Sequence, residues 1–271
     1  MGARRRAPLP PLATVGAALA VALVAVPLAA LVIRAPGARL WAELASAESV
    51  AAIRLSLVCS LGATVLSVGL GTPLAWVQAR GEFRGRGALR ALTTLPIVLP
   101  PVVGGVALLL AFGRHGLVGR WLDPLGIRLP FTTAGAVLAE AFVAMPFFVL
   151  TLEGGLRAVD PRLEEAARTL GASSWTTFRR VVLPTLAPAV ISGTGLAFAR
   201  AIGEYGSVVL IGGNIPHRTQ VASQYIQEQI EIDRPVNAAA VSVALLAIAF
   251  LTLFVLRVLA GRSQRREEES P

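Results

Sequence analysis

The sequence has no lysine and a single cysteine: all 25 basic residues are arginine, and Cys59 stands alone. One thiol closes no intrachain disulfide and builds no thiolate metal centre. The two histidines, His115 and His217, are far apart in polar stretches and read as solvated loop residues, so the sequence offers no metal-ligand cluster. Without lysine there is also no G-x-x-x-x-G-K-[ST] phosphate loop. Neither a catalytic site nor a resident cofactor is expected, and energy for any work must come from another subunit or from an ion gradient. Charge is scarce as well, at 15% of residues against roughly 25% in a soluble domain.

The missing charge is concentrated in gaps. No charged residue falls in 7–33, 55–79, 91–113, 181–199 or 235–256. Each gap approaches the roughly 20 residues that an α-helix needs to cross hydrocarbon. A sixth window, 131–153, is apolar except for Glu140 and Glu153. With 55% hydrophobic residues and a mean hydropathy of +0.68, the chain reads as an all-α polytopic membrane protein of about six transmembrane helices. Helices follow because a spanning segment must satisfy its own backbone hydrogen bonds.

A net charge of +9 can signal nucleic acid, but the positions of the arginines point elsewhere. Sixteen lie in the segments 4–6, 80–90, 157–180 and 257–266, and eight in the alternating segments 34–54, 114–128 and 218–234. Arg200 falls within a span. This alternation follows the positive-inside rule and predicts both termini on the cytoplasmic side. The charge sets topology and meets anionic lipid. Arg4, Arg5 and Arg6 before an apolar stretch resemble the start of a signal peptide, but that stretch is too long for one. Residues 11–33 are therefore expected to be an uncleaved first span.

The predicted layout is a cytoplasmic N-terminus at 1–10, a membrane domain at 11–260 and a charged, unstructured cytoplasmic tail at 261–271. Span two, 55–78, carries Gly62, Gly69 and Gly71, which allow close helix approach. Span three, 92–112, opens with Leu95-Pro96 and Leu99-Pro100-Pro101, so Pro96 to Gly105 is expected to be irregular and buried. A loop with a short helix around Trp121 precedes span four, 132–154. Spans five and six are expected at 185–210 and 236–257.

The polar segment 156–184 reads as two short helices. Asp160-Pro161 supplies an N-cap followed by proline at the first helical position. Gly171 suits a left-handed C-terminal turn. Ser173 or Ser174 can cap the second helix, which Pro184 ends or hands to span five. A rigid helix–turn–helix projecting from the membrane is a suitable lever. Ala166 and Ala167 leave a low-profile face, Glu165 can pair across a contact, and Gly171 allows a partner backbone to approach.

The segment Glu165-Ala166-Ala167, Gly171, Val181 and Leu183-Pro184 resembles the cytoplasmic coupling loop of ABC importer permeases, with Val181 in place of the usual isoleucine. The resemblance implies the type I importer permease fold with a cytoplasmic coupling helix pair. It also implies that Glu165, Ala166, Ala167, Gly171, Leu183 and Pro184 dock on an ATP-binding subunit dimer. A related second permease subunit and an extracytoplasmic oxyanion-binding protein are the other implied partners, in a bacterial inner membrane and with no nucleic acid.

A second constellation runs from Gly193 to Ser207. Arg200 and Glu204 are four apart, which places them on one helix face with Ser207 nearby. Intramembrane charges usually face a bundle interior or a pathway. Two readings stay open: a mutual ion pair fixing the bundle, or an arginine that lends positive potential to a passing anion. Glu140 is expected to pair with Arg200 or a backbone group, with a proton relay as the other option. Arg200, Glu204, Ser207 and Glu140 are the candidate pathway residues. The run Phe198 to Gly206, with Gly213-Asn214-Ile215-Pro216 and Arg218-Thr219, resembles the oxyanion permeases for sulfate/thiosulfate and molybdate. Residues 222–240 look closer to the T subunit of the sulfate/thiosulfate type.

The expected function is thus an importer permease for a tetrahedral oxyanion, most simply sulfate/thiosulfate. A molybdate/tungstate permease is the alternative within the family. An ion-coupled secondary transporter, using Glu140, Arg200 and Glu204 as a relay, is the alternative from another class.

Overall fold

The computed structural model describes residues 11–35 and 37–268, which puts the N-terminal segment 1–10 and the last three residues outside the described structure. In chain order the helices are α1 (Pro11–Arg34), α2 (Gly37–Leu44), α3 (Ala47–Arg80), α4 (Arg86–Val98), α5 (Pro101–Phe112), α6 (Gly119–Leu122), α7 (Thr133–Ala158), α8 (Pro161–Thr169), α9 (Ser174–Thr177), α10 (Leu183–Ile202), α11 (Gly206–Ile211), α12 (Ala222–Glu231) and α13 (Pro235–Glu268). A 3₁₀ turn follows α6, and a π segment, Phe178–Val182, joins α9 to α10. No strand occurs among the described residues.

Five of these helices are long and apolar enough to cross a membrane, and the α4–α5 pair makes a sixth crossing if it counts as one bent span. That pair departs from expectation. Residues 92–112 do not form one straight helix with an irregular buried entrance. They form two regular helices whose axes bend by 117° at Leu99-Pro100. Pro101 begins α5, where its missing N–H costs nothing. Pro100 is exposed and α4 has no buried residue, so the break lies on the surface of this chain. The 12 residues of α5 rise about 18 Å, short of the ~30 Å of hydrocarbon, so α4 must supply part of the crossing.

The spine is the pairing of α3 with α7. The buried stripe of α3 is Ser56, Cys59, Ser60, Ala63, Thr64, Ser67, Gly71 and Ala75, spaced three and four apart. Small side chains let the two backbones come close, which is how helices gain packing energy where lipid removes the hydrophobic drive. Gly71 sits against Phe148, the largest fully buried side chain. Helix α10 crosses both, burying Leu186 and Ala197 with Leu152 and Leu156 in the central cluster. By contrast α1 has none of its apolar window buried, and α13 has little. Those faces are available to lipid or to other chains.

Two boundaries differ from expectation. Span five stops at Ile202, and the chain breaks at residues 203–205 before the short α11. The charged tail does not lose structure at Arg262: α13 continues to Glu268. Its last turns are built from arginine, glutamine and glutamate, all good helix formers.

Candidate functional site

The polar segment after α7 folds as its local chemistry dictates. The Asp160 side chain accepts the Arg162 N–H at 2.9 Å and caps α8, with Pro161 in the first turn. At the far end Gly171 adopts φ +80°. The Gly171 and Ala172 amides donate to the carbonyls of Arg168 and Ala167 at 2.9 and 3.0 Å. This is a left-handed C-terminal cap, which glycine adopts without the strain a Cβ would bring. Ser173 then caps α9, its Oγ accepting the Thr176 N–H at 3.2 Å. The second helix does not end at Pro184. It runs through the π segment straight into α10, with Pro184 in the first turn of that span.

Glu165, Ala166 and Gly171 are exposed, and Ala167 is half-buried. Leu183 and Pro184 are exposed too, but they lie beyond the π segment, at the head of α10 rather than on the α8 turn. The sequence reading missed two apolar members of this surface. Leu170, 88% exposed, and Trp175, 68% exposed, flank the turn. The signal was present: a leucine and a tryptophan stand beside the turn of an otherwise polar helix pair.

The element is anchored, not loose. Glu164 Oε1 accepts from Arg80 Nη2 at 2.7 Å, tying α8 to the last turn of α3. Trp175 stacks on Phe178, with ring centroids 5.7 Å apart, and Phe178 meets Trp76 of α3 edge-on at 5.5 Å. One helical turn back, Glu153 is almost buried between Arg90 Nη2 at 2.6 Å and Arg157 Nη2 at 2.7 Å. Arg90 and Arg86 also donate to the final carbonyls of α3, at Gln78 and Ala79. Charged side chains thus gather around the C-terminal end of α3, from α4, α7 and, through Glu164, α8.

The second constellation lies at the break in span five. Arg200 sits in the last turn of α10, and Glu204 lies outside the helix, in the break itself. They still pair, with Arg200 Nη2 2.7 Å from Glu204 Oε2. The other carboxylate oxygen accepts the Ser207 N–H at 2.9 Å. The Glu204 carbonyl accepts from Ser223 Oγ at 2.7 Å. Ser207 in turn donates through Oγ to the Pro101 carbonyl at 2.8 Å, joining α11 to the start of α5. The approach is close: a Cβ on Gly105 would lie 3.0 Å from Ser207 Cα. Glu204 is 2% exposed while Arg200 keeps 30%, so the arginine side chain is partly exposed and its carboxylate partner is not.

Glu140 does not join that pair. It is buried on α7, its Oε2 has no hydrogen-bond partner, and Arg200 is committed to Glu204. Its polar neighbours are the Ser60 hydroxyl and the Glu204 carboxylate. The expected pairing of Glu140 with Arg200 is therefore corrected. Arg200 stands one helical turn from the break, where its fork answers Glu204 first.

At the end of the molecule opposite α8, Asp123 accepts from Arg128 Nε at 2.9 Å and from Arg114 Nε at 3.1 Å. These two arginines hold its carboxyl below the usual carboxylate range.

Comparison with known proteins places this architecture. Residues 67–267 match the family described as "Binding-protein-dependent transport system inner membrane component". The chain is 44% identical over 240 residues to the molybdenum transport system permease protein ModB of Mycobacterium tuberculosis, covering 88% of this chain and 89% of the relative. It is 39% identical over 230 residues to the sulfate transport system permease protein CysT of Escherichia coli, covering 84% and 83%. Among solved structures, a bacterial alginate ABC transporter in complex with its pentasaccharide-bound periplasmic protein aligns with a TM-score of 0.72 at 19% identity, over 96% of this chain and 95% of that one. The MetNI methionine ABC transporter aligns with a TM-score of 0.56 at 19% identity, over 88% and 98%. That likeness establishes the shared fold. The charged cluster at one end, the broken fifth span and the family match converge: the chain belongs to the binding-protein-dependent inner membrane transport components and is the multi-pass permease subunit of an ABC importer.

Proposed function

We propose that this chain forms half of the pathway by which a tetrahedral oxyanion enters the cytoplasm, with both termini and the α8–α9 turn on the cytoplasmic side. The observation that carries the reading is the anchored, outward-facing turn at Gly171. It offers Glu165, Ala166, Leu170 and Trp175 to a partner while Glu164 and Phe178 hold its other side against α3. A chain with no phosphate loop needs such a lever, and an ATP-binding subunit dimer is the partner that supplies the work. A related second permease completes the pathway, since α1 and α4 bury nothing in this chain and one face of α5, at Val102, Val106 and Leu110, stays exposed.

An exported binding protein delivers the anion. Arg200 then offers its free guanidinium donors along the pathway, while Glu204 keeps it oriented and limits its hold on the anion. A fork of this kind suits an oxyanion, and a transient contact passes the ion on where a tight one would trap it.

Sulfate/thiosulfate is the reading drawn from residues 222–240. Molybdate is the second reading, favoured by the 44% identity to the molybdenum permease. Both are tetrahedral dianions, and the pathway chemistry is the same for either. Uptake of radiolabelled sulfate and molybdate into cells lacking their own permeases, supplied with this chain and its neighbouring transport genes, decides between them. ATP-dependent accumulation of one oxyanion is expected. Accumulation of neither, or accumulation without an ATPase subunit, would refute the reading.

A further inference from the structure

At the end of the molecule opposite α8, a cavity of about 330 Å³ opens between α3, the start of α7 and the 213–220 loop. Arg54, His217 and Arg218 line it, and no carboxylate does. The loop is built to hold them. Three amides, from Arg218, Thr219 and Gln220, converge on the Ile215 carbonyl at 3.1, 2.9 and 3.0 Å. Thr219 Oγ1 accepts the Ile215 N–H at 3.0 Å, and Thr133 Oγ1 donates to the Arg218 carbonyl at 3.2 Å. His217 sits at φ +61°, a conformation a non-glycine residue keeps only when its surroundings impose it.

Beside this cavity runs a second hollow of about 330 Å³, an apolar groove along the outer face of α3. Ile53, Leu57 and Leu61 line it, and Arg54 and Val58 border both spaces. Arg54 lies seven residues into α3, about 10 Å along the axis, and it borders both the cationic cavity and the apolar face. Its stem can follow the apolar face while the guanidinium turns toward the cationic cavity.

We propose that this composite is a binding site for one anionic phospholipid, with its phosphate among Arg54, His217 and Arg218 and an acyl chain along the α3 groove. A free dianion would use the cavity and leave the groove bare. A zwitterionic lipid would fill the groove and bring no net charge to three cationic or donor groups. Only an anionic lipid matches both, and a pair of arginine forks suits a phosphate headgroup. Bound there, it would pin the 213–220 loop to α3.

The test is native mass spectrometry of the intact importer complex, purified in detergent with added phosphatidylglycerol or phosphatidylcholine, for the wild type and for R54Q/R218Q. Both arginines are exposed, so the fold does not depend on them. One retained phosphatidylglycerol per copy of this chain is expected, held roughly thirtyfold more weakly in the double variant at about fivefold per arginine. Equal retention of both lipids, unchanged retention in the variant, or no adduct at all would overturn the proposal. So would displacement of the lipid by millimolar sulfate, which would make the cavity a free-oxyanion site.

Discussion

Arg80 and Glu164 meet at 2.7 Å, joining the last turn of a membrane-spanning helix to the exposed helix α8. The pair is partly exposed, at 26% and 16%. Its worth in stability is therefore small, about 1 kcal/mol or less. Its position matters more than its strength. On the proposed reading, movement of α8 would reach α3 through this contact, and movement of the π segment through Trp76–Phe178.

Arg80→Gln should accordingly leave folded yield and melting temperature nearly unchanged. Binding-protein-stimulated ATP hydrolysis should fall roughly fivefold, the scale of about 1 kcal/mol of lost coupling. Reconstituted complex assayed with and without binding protein checks this. Unchanged stimulation would show that the ion pair carries no coupling.

Gly171→Asp isolates docking from folding. A Cβ there meets nothing within 4 Å. Aspartate tolerates the left-handed conformation better than most residues. Membrane insertion and yield should survive, with a cost of about 1 kcal/mol. Oxyanion uptake should drop to background because charge and bulk enter the contact. Uptake at the normal rate would remove this turn from the docking surface.

The Arg200–Glu204 pair is separable by a double-mutant cycle. Arg200→Gln leaves Glu204 buried with only the Ser207 amide, and a buried charge stripped of its partner costs about 3 kcal/mol. Yield should fall. Arg200→Gln with Glu204→Gln should recover yield and leave uptake dead if Arg200 serves the anion. Recovery of both would assign the pair to structure alone. Failure to recover yield would show that the two charges are not each other's main support.

Gly105→Val tests the close approach of α5 to α11. Its Cβ would meet Ser207 Cα at 3.0 Å and Leu210 at 2.9 Å. Backbone cannot move as a side-chain tip can, so overpacking should cost about 1–3 kcal/mol. A lowered melting temperature with impaired uptake is expected. A variant as stable and active as the wild type would contradict the packing at this bend.

Asp123 gives a pH dependence. Hydrogen bonds from Arg114 and Arg128 lower its pKa in the folded loop. The order it adds is present above the unfolded value, near 3.9, and is lost as pH falls through the lower folded value. Hydrogen-exchange protection in residues 113–131, corrected for the intrinsic pH dependence of amide exchange, should therefore stay constant down to about pH 4 and fall below it. In Asp123→Asn that acid step should be missing. An identical step in the variant would assign it to another group.

The turn at Gly171 was legible because its determinants are local. Asp160, Pro161 and Gly171 each fix the backbone within a few residues of themselves, whatever the rest of the chain does. The spans were legible from their charge gaps. The bend at Leu99-Pro100 was not, because prolines announce a break and leave its angle to tertiary packing, here at Gly105 against Ser207. Arg80 and Glu164 are 84 residues apart, and nothing in either neighbourhood names the other. Helical spacing suggested the Arg200–Glu204 pair for a partly wrong reason. The chain breaks between them, and the carboxylate reaches back to Arg200 from outside the helix. Glycines at 203 and 206, flanking an intramembrane glutamate, were the overlooked sign of that break.

Cys59 is fully buried, so Ala166→Cys places one reactive thiol on the exposed face of α8. Cross-linking with a short maleimide–succinimidyl ester, which joins that thiol to a lysine amine of a bound partner, in membranes from cells expressing the whole importer tests the central claim most directly. A covalent adduct between this chain and the ATP-hydrolysing subunit is expected from position 166. The same thiol placed by Arg120→Cys, at the opposite end, should give none. No adduct from position 166, or equal adducts from both positions, would contradict the account.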